Sequence, residues 1–236
     1  MTGWNDRTYL EPTPILDCDH PLVVRFTTAA IGDATDPRDK AVRLFYAVRD
    51  GIRYDPYSPF YLPEHYQASR VLQRGRGYCV CKAAVLCAVA RAAGIPSRIG
   101  FATVRSHLAT RNLIQHLGTN LFVYHGCTEF RLGGKWVKAT PAFNKELCLR
   151  HDVAPLEFDG YRDCLFQEYD RRNRKSMEYL EYHGTFADVP LGRILEAWNA
   201  TYGTERVREW IDAFEKAGGD RIADFDAEEV VKDQPG

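Results

Sequence analysis

The sequence predicts an α+β fold on three observations. A small, apolar helix over 79 to 93 is too hydrophobic to lie at a surface, an alternating hairpin over 121 to 140 supplies antiparallel strands, and two amphipathic helices follow residue 190. A buried helix needs a sheet or other helices to cover it.

Cys79 opens the first helix, and Gly94 with Pro96 closes it. Only Lys82 and Arg91 carry charge within it, and at about 100° per residue they fall on opposite sides, so burial almost all round is expected. Gly75 and Gly77 give a flexible approach. A cysteine in a helix's first turn lies where unpaired N–H groups and the dipole favour an anion, which brings the thiolate within reach near neutral pH. Cys81 and Cys87 on the same helix read as small buried hydrophobes, and position alone leaves that reading open for Cys79 too.

With 236 residues and 45% hydrophobic content the chain can bury a full core, so one main domain with an extension is expected. We divide it into a lead-in over 1–35, a core over 36–150 and an extension over 151–236. A formal net charge of -1 gives no global field that would point to nucleic acid or a membrane. No run approaches the ~20 apolar residues of a spanning helix, and the opening residues lack the apolar core of a signal peptide. A cytoplasmic location is therefore expected. Seven cysteines, an odd number, argue for free thiols, and Cys79-Val80-Cys81 lacks the spacing and the second pair of a zinc site. No metal or cofactor is called for.

Residues 1 to 35 show mixed patterns, with 22 to 26 readable as strand or helix. Asp36-Pro37 reads as N-cap and first helical residue, followed by an apolar stripe at Ala41, Leu44, Phe45 and Val48 that ends at Gly51. Residues 52 to 63, rich in proline and aromatics, read as an irregular surface segment, first a satellite packing cluster and second the wall of a groove. A short helix is expected over 64 to 72, a strand over 97 to 104, and a loop over 105 to 119 carrying His107 and His116 as solvated histidines. In the hairpin, Gly133-Gly134 makes the turn and Leu132 pairs with Lys135. That register places Glu129 opposite Lys138, Arg131 opposite Trp136, and Phe130 opposite Val137 on the core side. It also pairs Thr140 with Cys127, diagonal to His125. His125 on a rigid strand could serve as a general base or simply pack.

Farther on, 171 to 175 is a basic run flanked by acids that reads as a solvated turn, and a strand is expected over 177 to 182. The two last helices carry stripes at Leu191, Ile194, Leu195 and Trp198 and at Val207, Trp210, Ile211 and Phe214, the second capped by Thr204 and ended by Gly218-Gly219. From Asp220 the acidic end reads as frayed.

Several of these segments together resemble the transglutaminase-like superfamily. They are Gly77-x-Cys79 with Ala83, Gly94-Ile95-Pro96-Ser97-Arg98, the lead-in Ile52-x-Tyr54, His125-Gly-Cys-Thr-Glu129, Gly-Gly-Lys-Trp136 and Thr140-Pro141. The resemblance covers about residues 36 to 145. It implies a papain-like α+β core, a nucleophile helix packed on an antiparallel sheet, with the last two helices as an extension. It also implies cysteine, histidine and acid in that chain order, hence Cys79 as nucleophile and His125 as base.

The sequence departs from the family at Thr140, where an aspartate is usual. Loss of the acid from such a triad can cost up to about 10⁴-fold, because the acid holds the imidazole tautomer and stabilises its cation. Thr140, Asn144 and Asp159 are the alternatives for orienting the ring. Glu129 cannot easily substitute, since four strand residues set it about 13 Å from His125. For an oxyanion, the Cys79 backbone N–H is the expected donor and Gln73 a side-chain candidate.

Two functions compete. One is a thiol enzyme that cleaves or transfers an amide through a thioester, acting on a peptide, protein or other amide, with hydrolysis preferred to crosslinking because no amine site or calcium cage is evident. The other is a binding module that keeps the fold without the acid.

Overall fold

The N-terminal stretch is helical because its ends are capped. In the computed structural model, which describes residues 6–107, 109–169, 175–218, 223–225 and 228, a 3-10 turn (Asp6–Tyr9) leads to α1, Pro21–Ile31. His20 Nδ1 accepts from the Leu22 N–H at 3.1 Å, Pro21 needs no acceptor, and Val23 and Thr27 turn inward. The ambiguous stretch over 22 to 26 is thus helix. In α2, Pro37–Gly51, the Asp36 carboxylate accepts from the N–H groups of Arg38 and Asp39 at 2.9 and 3.1 Å, and the expected stripe is buried.

Two short parallel strands, β1 (Arg53–Tyr54) and β2 (Arg76–Gly77), flank the next excursion. A single helix over 64 to 72 does not form. A 3-10 turn over Pro63–His65 is followed by a non-helical Gln67 and then α3, Ala68–Arg74. The break arises because the N-terminal segment caps α3: Ala68 N–H donates to Ile15 O and Ser69 N–H to Asp17 Oδ1. The aromatic stretch between β1 and α3 is not at the surface. Tyr54, Tyr57 and Phe60 are buried, Phe60 lying 4.9 Å from the Trp198 ring.

The long central helix is α4, Cys79–Ala92, in which every residue from Cys79 to Arg91 is buried. Its two charges are buried as well. Lys82 Nζ donates to the carbonyls of Arg49 and Ile52, and Arg91 donates to those of Ser97, Glu11 and Ala187. Gly77 is not a hinge. A Cβ there would stand 2.6 Å from Cys81 Cβ, so its bare backbone is what lets β2 lie against α4.

The sheet is built from β3 (Ser97–Ser106), β4 (Leu121–Leu132), β5 (Lys135–Ala139) and β6 (Met177–Phe186), in the antiparallel order β5-β4-β3-β6. Between β3 and β4 the expected loop contains α5, Arg111–Leu117, capped by Thr110 and anchored by buried Leu113. His116 stacks on Trp210 at 4.6 Å, and His107 bonds Glu178 at 2.9 Å, so both are half-buried and engaged rather than free in solvent. The β4–β5 register is the expected one from Leu132↔Lys135 to Thr128↔Ala139. It stops there: the Thr140 N–H donates to Cys164 O instead of continuing toward Cys127. Glu129, though opposite Lys138, spends its carboxylate elsewhere. Arg98 donates to it at 2.9 and 2.7 Å and Tyr182 at 2.8 Å.

Helix α4 covers one face of the sheet, where Thr128 Oγ1 donates to Ala83 O. After β5 come α6 (Lys145–Arg150), α7 (Leu191–Tyr202) and α8 (Thr204–Lys216). Gly203 at φ 92, not Thr204, is the N-cap of α8, because only the glycine takes that turn freely. Apolar residues from Ile15 to Phe225 form one contiguous cluster. The basic run over 171–174, Gly219 and residues 1–5 lie outside the described residues.

Candidate active site

Cys79 is the first residue of α4, behind a Tyr78 N-cap that supplies no side-chain bond to the helix start. The turn's N–H groups are therefore free to meet the sulfur. Backbone N–H groups of Gly126, Val80 and Cys79 itself favour its thiolate, the Gly126 contribution being the largest of the three. Gly126 reaches the thiol from β4 because it has no side chain. A Cβ at that position would stand 3.0 Å from Val80 Cα and 3.5 Å from Cys79 O.

Burial outweighs these donors. Cys79 is 7% exposed, and desolvation pushes its thiol up to about 12. The expectation of a thiolate near neutral pH therefore does not hold in this closed arrangement, since the loss of water outweighs the backbone donors. The phenols of Tyr54, Tyr66, Tyr78 and Tyr202 are raised chiefly by their own burial, and each also senses the Cys79 charge. Cys81 points elsewhere, its Sγ donating to His65 O.

His125 is the residue before Gly126, so its Cα lies about 3.8 Å from the Cα of the residue whose N–H meets the sulfur. Its ring lines a cavity of about 80 Å³ together with Tyr54, Phe122, Phe143, Phe166 and Phe225. Burial alone drives the imidazole down to about 4, and Phe166 meets it edge-on at 5.3 Å. The pleat alone would not bring Phe122 and His125 to one face. An extra residue in β4, opposite the step from Ala102 to Val104, restores the match, and Tyr124 there takes φ 58. Tyr124 holds this left-handed conformation stacked on His183 at 4.4 Å and 2°.

The candidates for orienting His125 are placed apart from it. Asn144 is not free to do so: its Nδ2 donates to the carbonyls of Arg49 and Ile52, and its Oδ1 accepts from Tyr54 N–H at 2.6 Å. Asp159 sits in an exposed turn, where its carboxylate accepts from the N–H groups of Tyr161 and Arg162. Thr140 is 1% exposed, and its hydroxyl, which meets no partner at full hydrogen-bond geometry, is close enough to the Tyr179 phenol to favour its ionised form as a donor. Among the described residues no side chain hydrogen-bonds the His125 ring. Gln73 is exposed on α3.

Sequence reasoning missed Gly126 as a donor, Phe166 as the ring's neighbour and Phe225 as a wall of the cavity. The glycine beside a strand histidine was the available signal for the first. The other two come from stretches without periodicity.

A solved structure of a candidate cysteine protease from Cytophaga hutchinsonii is similar to this chain at 15% identity and a TM-score of 0.47, covering 79% of this chain and 55% of its own. A candidate protease from Parabacteroides distasonis gives 15% identity and a TM-score of 0.35, covering 54% of this chain and 26% of its own. The chain thus spans about half the first protein's length and a quarter of the second's. Among curated proteins none matches it. Residues 25–141 match the model of the transglutaminase-like superfamily, and the chain belongs to that superfamily.

Proposed function

We propose that the chain is a thiol enzyme that opens an amide through a thioester, with Cys79 as nucleophile and His125 as base. The observation that carries this reading is the meeting of α4 and β4. Gly126 of β4 gives its N–H to the sulfur, and His125, the residue before it, lines a cavity together with Tyr54, whose phenol senses the Cys79 charge. In the reaction the Cys79 proton passes to His125 as sulfur bonds to the carbonyl carbon. The resulting oxyanion is met by the Cys79 N–H, and collapse expels an amine that takes the proton back. Water or a second amine then attacks the thioester. Hydrolysis of a peptide or other amide is the preferred outcome.

In the closed site burial holds thiol and imidazole neutral, so charge separation waits on entry of water or substrate. The three N–H groups then favour the thiolate without competition from desolvation. A binding module that takes no chemical step is the second reading. It is favoured by Thr140 standing where the family has its acid and by the absence of an orienting bond to His125 among the described residues.

Iodoacetamide labelling from pH 5 to 9, with the adduct located by peptide mapping, separates them. The enzyme reading expects Cys79 to label faster than the other buried cysteines, because entry of water exposes a thiolate that its N–H donors favour, and expects that preference to shrink in His125→Ala. If Cys79 labels no more readily than the other buried cysteines at every pH, the binding module is correct.

A further inference from the structure

The segment after α8 was expected to fray, yet two of its described residues are fixed at the site. Phe225 is buried at 6% exposure and packs edge-on against Tyr54 at 5.5 Å and against Tyr57 at 6.3 Å. It also lies 6.5 Å from the His151 ring. Glu228, three residues on, has both carboxylate oxygens engaged. The Tyr57 hydroxyl donates to Oε1 at 2.8 Å and the Thr110 hydroxyl to Oε2 at 2.5 Å. These two donors belong to residues that are 3% and 1% exposed, in separate parts of the chain.

An aromatic ring thus fills an apolar slot while a carboxylate is held by a pair of buried hydroxyls. Phe225 packs beside Tyr54, whose phenol lies within electrostatic reach of the Cys79 sulfur, and it helps to wall the cavity that His125 lines. A peptide that presents an aromatic side chain followed three residues later by a carboxylate would meet the same partners.

We propose that this slot is the binding site for such a peptide and that Phe225 and Glu228 occupy it in cis, as a built-in competitor. This rests on the reading of Cys79 and His125 as the reactive pair, and it adds both a substrate class and a means of restraint. Substrate enters when the segment lifts. Lifting also readmits water to the thiol, which removes the main cause of its unreactive form.

The test uses the full chain and a fluorescently labelled synthetic peptide of residues 220–232. In anisotropy titrations the peptide is expected to bind Phe225→Ala and Glu228→Ala proteins at least tenfold more tightly than the wild-type protein. A peptide carrying alanine at the phenylalanine position is expected to bind none of them. Circular dichroism verifies that each variant is folded, and two variants guard against one misfolding. Equal binding to wild type and variants, or no binding to either folded variant, overturns the proposal. Cys79 alkylation by an aromatic chloromethyl ketone, followed in parallel, is expected to be about tenfold faster in the variants. Differential peptide binding with an inert Cys79 would keep the occupant and remove the chemistry. A reactive Cys79 with no differential peptide binding would do the reverse.

Discussion

Lys82 and Asn144 donate to the same two carbonyls. Lys82 Nζ meets Arg49 O at 2.8 Å and Ile52 O at 2.5 Å, and Asn144 Nδ2 meets them at 2.5 and 2.7 Å. Both oxygens belong to the end of α2, where carbonyls lack helical partners and a cation is favoured. Asn144 also satisfies Tyr54 N–H, so it ties α2, β1 and the chain entering α6 to one point. Asn144→Ala is expected to destabilise the protein by about 2–4 kcal/mol, since it strands buried polar groups. Lys82→Met should lose less, because Asn144 still serves both carbonyls. Urea unfolding of the two variants and their double is expected to show non-additivity, as residues with shared partners do.

Glycine at 77 and 126 is required by contact rather than by dihedral angle. A methyl at Gly77 would fall 2.6 Å from Cys81 Cβ, an atom fixed to its backbone, while one at Gly126 would fall 3.0 Å from Val80 Cα and 3.4 Å from Ala83 Cβ. Both alanine variants are expected to be destabilised, by about 1–3 kcal/mol or more, with Gly77→Ala the worse. Gly126→Ala should in addition reduce Cys79 labelling, because it displaces a donor from the sulfur. Melting temperatures ranked against labelling rates check both statements.

Arg98, Glu129 and Tyr182 form a partly buried cluster on the sheet face away from α4, with Arg98 also 4.1 Å over the Trp136 ring. Glu129 has only 2% of its side chain exposed. Removing Arg98 would leave that carboxylate with the Tyr182 hydroxyl alone. Arg98→Met is expected to cost about 3–5 kcal/mol, measured by denaturant titration. Arg98→Lys should recover only part of it, since a single ammonium cannot replace the two guanidinium bonds.

The imidazoles of His65, His116 and His125 are all held down to about 4, by burial first in each case, with Arg74 and Arg206 adding to it for His65 and His116. Between about pH 6.5 and pH 4 the unfolded chain takes up protons that the folded one refuses. Stability is therefore expected to be intact above pH 6.5 and to fall as pH drops toward 4, with His125 alone accounting for roughly 3 kcal/mol. Cys79, held up to about 12, acts at the other end, withdrawing stability as pH rises from about 9. Urea midpoints from pH 4 to 8 should show the acid slope, and His125→Leu should flatten it.

Local chemistry explains what was legible. The caps at Asp36 and Pro37, the uncharged run of α4 and the Gly133-Gly134 turn act through neighbours in the chain, so they gave α2, α4 and the β4–β5 register directly. The division of 64–74 into a turn and α3 was not legible, because Ile15 and Asp17 impose it from fifty residues away. The same holds at the site. Cys79 and His125 are nameable from their segments, but Asn144, one of three alternatives for orienting His125, gives its amide to α2, and Phe225, in the stretch that reads as frayed, is held by Tyr54 and Tyr57. Burial also reversed the expected acidity of the thiol, a quantity set by surroundings that no spacing encodes.

Tyr124 has one more consequence. Two-residue periodicity makes a strand a binary device, each position committed to one side, and the supernumerary residue at Tyr124 flips the phase between Phe122 and His125. Shortening the chain there by a single residue would bring back an uninterrupted ladder and swing one of those two rings to the opposite side. The aim of the histidine thus depends on the length of this strand as well as on its residue types.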